Sequence, residues 1–275
     1  MIGNALQLAV PLILAGLGGL LTDRAGVLNI GLEGMILVGA FGGILGANLS
    51  GSLLVGFAVG ALFGLVLSAI FSVACIELKS NIFIAGLATN LLAVGLVPFA
   101  SALVFETKGV VRLSVAAGPS SWLGDMSIVL AIVLTVLVWG IIYHTVFGLR
   151  LRAAGDNPGA LEARGASPKR YQRATMLLSG LFAGIAGAEI AIRLGVYIPN
   201  VSAGRGWIAL VAVFLGYRHP FGIVVAALVF AFFEVLAGSA QGFLEIPGTV
   251  LIGLPYLFTV IAMVVYSAVR NRRRV

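Results

Sequence analysis

GLRLRAAGDNPGALEARGASPKRYQR, residues 148–173, is a charged island in a chain otherwise nearly free of charge. It holds six of the 17 lysines and arginines (Arg150, Arg152, Arg164, Lys169, Arg170, Arg173), and Arg270, Arg272, Arg273 and Arg274 form a basic tail. Around it the chain is apolar: 60% of its 275 residues are hydrophobic and 10% are charged. Runs of roughly 20 apolar residues recur, the length that crosses a bilayer as a helix. Helices are implied because lipid offers backbone groups no water, and the runs lack the alternating polarity of barrel strands. The 37 glycines agree, since small residues let membrane helices pack closely, as at Gly16–Gly19, Gly39–Gly43 and Gly180–Gly187.

Working outward, apolar segments fall at about 5–21, 27–48, 52–76, 81–104, 126–147, 174–195, 200–217, 219–240 and 248–268, so nine crossings are expected, within a range of eight to ten. The first starts almost at Met1 without a basic flank, which reads as a retained span rather than a signal peptide. With the N-terminus outside, 13 of the 17 basic residues share one side (Arg24, Lys79, the island, Arg218 and the tail), against Lys108, Arg112, Arg193 and Arg205. The richer side is then cytoplasmic. A net charge of +7 would suggest nucleic acid in a soluble protein, but the sidedness of a membrane protein accounts for it. The lone Cys75 excludes an internal disulfide. The loop Phe105–Asp125 is the longest external connection, a solvated connector with Trp122 at the interface, or a contact for an extracytoplasmic partner.

The island has an internal grammar. Asn157 can cap a helix, Pro158 suits its first position, Gly165 can end it, and Ser167-Pro168 starts the next. A short helix over about 158–164 is predicted across the cytoplasmic face, too small to fold unaided. Residues alone leave two readings open: a docking element, or a basic loop drawn to anionic lipid.

A second stretch, LTDRAGVLNIGLEGM at residues 21–35, carries Glu33 into an apolar segment. A carboxylate at membrane depth costs about 2.5–3.5 kcal/mol on insertion scales, so it faces a cavity or makes a structural bond. If Asn29–Gly34 is a broken helix start, Glu33 satisfies freed backbone N–H groups. Gly34-Met35-Ile36 with Ala40 is echoed by Gly206-Trp207-Ile208 with Ala212, in segments of opposite direction. That pattern points to an inverted repeat, segments one to four answering six to nine and the fifth joining the halves.

Residues Thr22–Met35, the Asn157–Gly165 island and the closing LPYLFT at 254–259 together resemble the permeases of ABC importers. The run Arg24–Met35 is similar to that of the simple-sugar and nucleoside branch, nearest to the smaller of two paired nucleoside permeases. The branched-chain amino acid permeases fit less well.

The resemblance implies an all-α polytopic permease in one domain, residues 1–147 forming the first half with its linking span, 148–173 the cytoplasmic coupling loop and 174–275 the second half. It makes the island helix the coupling helix, with Arg152, Gly155, Asp156, Asn157, Pro158, Ala160, Glu162, Ala163 and Gly165 meeting an ATPase subunit. The implied partners are a second, larger permease, that ATPase and a substrate-binding lipoprotein outside a bacterial plasma membrane. The chain itself has no G-x-x-x-x-G-K-[ST] run, so ATP and magnesium belong to the ATPase, and no cofactor, metal or nucleic acid is expected here.

Substrate-path candidates at membrane depth are Asn90, placed mid-segment, with Glu33, Asn81, Trp207, Glu234 and Tyr256; any of them could bond or stack with an uncharged ribose or base. A buried Asn bonding between helices is the commoner case. Glu189 and Arg193, four apart, are expected to pair on one helix. His144 and His219 sit at span ends with no second metal ligand spaced to join them. A purine or other nucleoside is the first cargo and a simple sugar such as ribose the second. An ion-coupled transporter would favour more buried acids than Glu33, Glu189 and Glu234, and an intramembrane enzyme lacks any H-E-x-x-H or paired aspartates.

Overall fold

The computed structural model describes residues 2–115 and 120–240 and is a helical bundle. Its helices are α1 (Ile2–Arg24), α2 (Leu32–Ser50), α3 (Leu53–Ser72, continued by a π turn Val73–Glu77), α4 (Ile82–Phe105), α5 (Ser120–His144), α6 (Val146–Asp156), α7 (Pro158–Ala163), α8 (Pro168–Leu194), α9 (Arg205–Leu215) and α10 (Pro220–Ala240). Among the described residues seven helices are long and apolar enough to span a membrane: α1, α2, α3, α4, α5, α8 and α10. The chain is a multi-pass membrane protein.

Burial sorts these spans. In α1, α2 and α8, 78–83% of the apolar window is buried, against 22–28% in α3, α4, α5 and α10. The first three therefore form the core, and the others turn large side chains such as Leu54, Leu91, Leu103 and Val133 outward, as a lipid solvent permits. The central pair is α1 against α8. On α8 pack α2 and α3; on α1 pack α9 and α10; the start of α9 meets the start of α2.

Glycines set these distances. Gly184 of α8 lies where Gly39 of α2 and both Gly60 and Gly64 of α3 converge; a Cβ on Gly39 would come 2.5 Å from the Gly184 Cα, and one on Gly64 would come 2.7 Å from it. Such contact replaces side-chain burial with backbone-to-backbone packing, the usual source of attraction between helices in lipid.

Three expectations need correction. The segment at 27–48 becomes helical only at Leu32, because Ala25–Gly31 runs as a non-helical lead-in. The segment at 200–217 is not one continuous helix: turns through Gly204 are followed by the 11-residue α9, a rise of roughly 16 Å or about half the hydrocarbon thickness. And the charged loop does not begin at Gly148, since α6 runs from Val146 through most of its first half. The segment at 248–268 and Tyr256 lie outside the described residues.

The described part of the loop after α4 is tied down rather than free. A two-residue strand β1 (Val111–Arg112) pairs antiparallel with β2 (Val196–Tyr197), a feature absent from an all-helical expectation. Asn48 at the end of α2 donates to the Arg112 carbonyl at 3.0 Å and accepts from the Ser114 N–H at 2.8 Å.

Candidate functional site

Two places concentrate polar groups. The first is the island. The Asn157 side chain accepts from the Ala160 N–H at 3.1 Å and caps α7, Pro158 is the first helical residue, and Gly165 (φ 73°) takes the left-handed conformation expected of a stop. Ser167 precedes α8 without a side-chain cap bond. What holds this six-residue helix is Leu161, buried with Ala154 and Tyr171 and flanked by Phe147. Single-residue anchoring leaves Asp156, Asn157, Pro158, Ala160, Glu162, Ala163 and Gly165 exposed.

Arg152 and Gly155, expected beside them, face the bundle instead. The Arg152 guanidinium sits 5.3 Å over the Tyr143 ring. Gly155 presses on the turn after α1: a Cβ there would strike the Arg24 carbonyl oxygen and lie 2.9 Å from the Gly26 nitrogen. Gln172 of α8 reaches the same turn, donating to the Ala25 carbonyl at 3.3 Å. Beside it Asp23 pairs with Arg218 at 2.7 Å, and Arg24 donates to the Arg218 carbonyl at 2.7 Å and to the Tyr143 hydroxyl at 3.2 Å. The turn Asp23–Gly26 is thus gripped by α5, α6, α8 and the turn between α9 and α10.

The second place is the junction of α2 and α9. Glu33 accepts from the Gly204 N–H and the Gly206 N–H, each at 2.7 Å, one carboxylate oxygen to each. These are donors at the start of α9 that no helical carbonyl can reach. The carboxylate also stands at the positive ends of two helix dipoles, its own and that of α9. Glu33 therefore does satisfy freed backbone N–H groups, but those of a helix 171 residues away. A Cβ on Gly206 would come 2.5 Å from the Glu33 nitrogen, so only glycine lets the two helix starts meet.

Asn90 of α4 completes the junction. Its carbonyl accepts from the Gly34 N–H at 2.8 Å and its amide donates to the Ile30 carbonyl at 3.0 Å. Both ends of the amide thus serve the broken start of α2, the interhelical case. Asn29 holds the lead-in, donating to the Ser179 hydroxyl at 2.9 Å while its own carbonyl accepts from Gly31 at 3.0 Å.

A family model described as the permease component of a branched-chain amino acid transport system matches residues 1–269. The chain belongs to that family of permeases. Its relative NupC, the nucleoside ABC transporter permease protein of Lactococcus lactis subsp. cremoris, is 32% identical over 96% of this permease and 91% of NupC. The guanosine ABC transporter permease protein NupQ of Bacillus subtilis is 33% identical, covering 93% and 88%. The putative glucose ABC transporter permease protein TsgC13 of Haloferax volcanii is 31% identical, covering 88% and 78%. A second Lactococcus permease, NupB, matches at 25% over 88% of this chain and 72% of its own. Among solved structures, an inward-facing putative metal-chelate type ABC transporter superposes with a TM-score of 0.55 at 20% identity, covering 95% of the permease and 84% of that chain.

The remaining candidates in the permease separate by environment. Asn81 stands at the start of its span rather than within it: it caps α4, accepting from Phe83 and Ile84 N–H groups at 2.9 and 3.3 Å, and is exposed. Glu234 of α10 pairs with Arg205 at 2.7 Å. Trp207, one residue past Gly206, keeps 40% of its surface exposed. Glu33, Arg205, Trp207 and Glu234 therefore gather about the start of α9. Arg205 was not legible as part of this group, because its basic charge reads as a loop marker and its partner is 29 residues away. The flanking Gly204 and Gly206 were the available signal. Glu189 and Arg193 pair as expected, at 3.5 Å.

Proposed function

We infer that this permease is the membrane subunit of an ATP-binding cassette importer for nucleosides, forming half of a pore with a second, larger permease. The observation that carries the reading is likeness above 30% to NupC and NupQ over nearly the whole of each chain. The match to NupB, of the same bacterium as NupC, supports a paired permease. An ATPase subunit carries ATP and magnesium, an extracytoplasmic lipoprotein delivers cargo, and the island faces the cytoplasm of a bacterial cell, with the N-terminus outside. The match to TsgC13 favours a simple sugar as the second reading.

Within this reading the chain is an inverted repeat, supported by packing: α8 holds α2 and α3 as α1 holds α9 and α10, and a non-helical lead-in precedes both α2 and α9. The exposed edge of α7 is the ATPase contact, narrowed to Asp156, Asn157, Pro158, Ala160, Glu162, Ala163 and Gly165. A push there passes through Leu161 to α6, from Gly155 to the Arg24–Gly26 turn, and along Asn29 to Glu33, which holds α9. Arg152 and Gly155 position that path from inside. Trp207 offers a ring on which a base could stack during passage.

Cells carrying the whole transporter are expected to lose radiolabelled nucleoside uptake, and not ribose uptake, when this gene is deleted or the ATPase disabled. Loss of ribose uptake alone would move the cargo to a sugar, and uptake indifferent to the ATPase would remove the importer reading. Asp156→Arg with Glu162→Arg is expected to leave the permease inserted and ATP hydrolysis uncoupled from uptake, roughly a tenfold loss for a broken charged interface. Normal uptake in that double variant would take the ATPase contact away from α7.

A further inference from the structure

At the island end two grooves border the α5–α6 junction. One, of about 320 Å³, is wholly apolar and runs among α1, α5 and α8, lined by Leu21, Leu137, Ile141, Phe147, Leu178 and Phe182. Its lining includes Thr145 and Phe147, the residues on either side of Val146. Val146 opens the other, of about 510 Å³, between α6 and α7, where Leu149, Ala153 and Leu161 form an apolar floor beside Arg150 and Arg164. Among the described residues no carboxylate lines either groove.

Val146 and Leu149 lie three apart on α6 and are 64% and 60% exposed, just where α5 leaves the bundle. They continue the outward apolar surface of α5, which includes Val133, Val136 and Leu137. An apolar cleft at membrane depth leading to an apolar floor with two guanidiniums has the shape and charge of an amphiphile with an anionic head.

We propose that the two grooves together hold one anionic phospholipid, its acyl chain along α5 and its phosphate beside Arg150 and Arg164. Arginine suits this role because its planar fork takes two phosphate oxygens at once. Arg150 is braced for it by a 3.2 Å bond to the Tyr171 hydroxyl. A zwitterionic lipid gains less, since its ammonium finds no acceptor side chain among the lining residues. The exposed α7 residues assigned to the ATPase lie outside the lining, Ala160 excepted, so the lipid underlies the lever and leaves its outer edge open.

The test is native mass spectrometry of the full chain, purified in mild detergent and equilibrated with equal phosphatidylglycerol and phosphatidylcholine. The wild type is expected to retain one phosphatidylglycerol in clear preference. Arg164→Gln, at an exposed position, should lower that retention about fivefold, from the roughly 1 kcal/mol each basic residue contributes at an anionic surface. The double variant R150Q/R164Q should abolish the preference and R150K/R164K should keep most of it, with melting temperature recorded for each so that unfolded variants are set aside. Equal retention of both lipids by the wild type, or undiminished preference in folded R164Q, would overturn the site. Should folded R150Q/R164Q keep its phosphatidylglycerol, the two guanidiniums do not hold the head group and the proposal fails. The readout is lipid on the permease alone, so either result leaves the importer reading untouched.

Discussion

Gly184→Leu is expected to abolish accumulation of folded permease, the largest single-residue effect this fold allows outside its polar junctions. At Gly184 a Cβ would strike the Gly60 carbonyl oxygen and stand 3.0 Å from the Ala61 Cα, while Gly39 and Gly64 press on the same residue from α2 and α3. The three nearest obstacles to that Cβ are backbone atoms, so no rotamer change relieves the clash, and α8 must leave one neighbour. Even Gly184→Ala should cost about 1–3 kcal/mol by overpacking. Gly95→Leu is the control, since nothing lies within 4 Å of a Cβ there. Fluorescence-detected size exclusion and melting in detergent read both: Gly95→Leu should behave as wild type, and Gly184→Leu should give no monodisperse peak. A wild-type profile for Gly184→Leu would mean that α2, α3 and α8 do not meet as described.

The same seam explains which parts of the structure were legible beforehand. Membrane spans announce themselves by length and composition, because the bilayer imposes both, and Gly180–Gly187 marked a close-packed face for the reason just given. The island grammar was equally local: an Asn cap, a proline at the first position and a glycine stop act within one turn, and α7 begins and ends where they put it. Legibility failed where the partner was distant. Nothing near Arg205 in the chain indicates Glu234, and the assignment of Arg152 and Gly155 to an outer contact missed Tyr143 and Gly26, which lie across the bundle. The half-length of α9 was legible only as a short segment interrupted by Gly204 and Gly206. Asn81 and Asn90 show the same limit within one helix. One is an exposed cap and the other a buried bridge, yet the sequence presents both as amides in an apolar run.

Glu33→Ala is expected to reduce uptake at least roughly tenfold and to lower the melting temperature with it. The carboxylate makes two charge-assisted bonds of 2.7 Å to Gly204 and Gly206, of a kind that contributes about 1.5–3 kcal/mol each. Alanine leaves both N–H groups facing a site where water is scarce and α9 detached from α2. Glu33→Gln is the informative intermediate: an amide offers one acceptor oxygen and turns its NH₂ toward the other donor, so one bond survives and the second becomes a repulsion. Wild type, Gln and Ala should therefore fall in that order in both melting and uptake. Gly206→Ala should follow Ala, because its Cβ would lie 2.5 Å from the Glu33 nitrogen and 2.6 Å from its Cα and would part the same helices. The paired readout separates this role from cargo contact. A residue that only touched the nucleoside would lower uptake in the Gln variant and leave melting alone. If Glu33→Ala melts with the wild type, α2 and α9 are not latched by this carboxylate, and the path from the island to the membrane centre loses its last link.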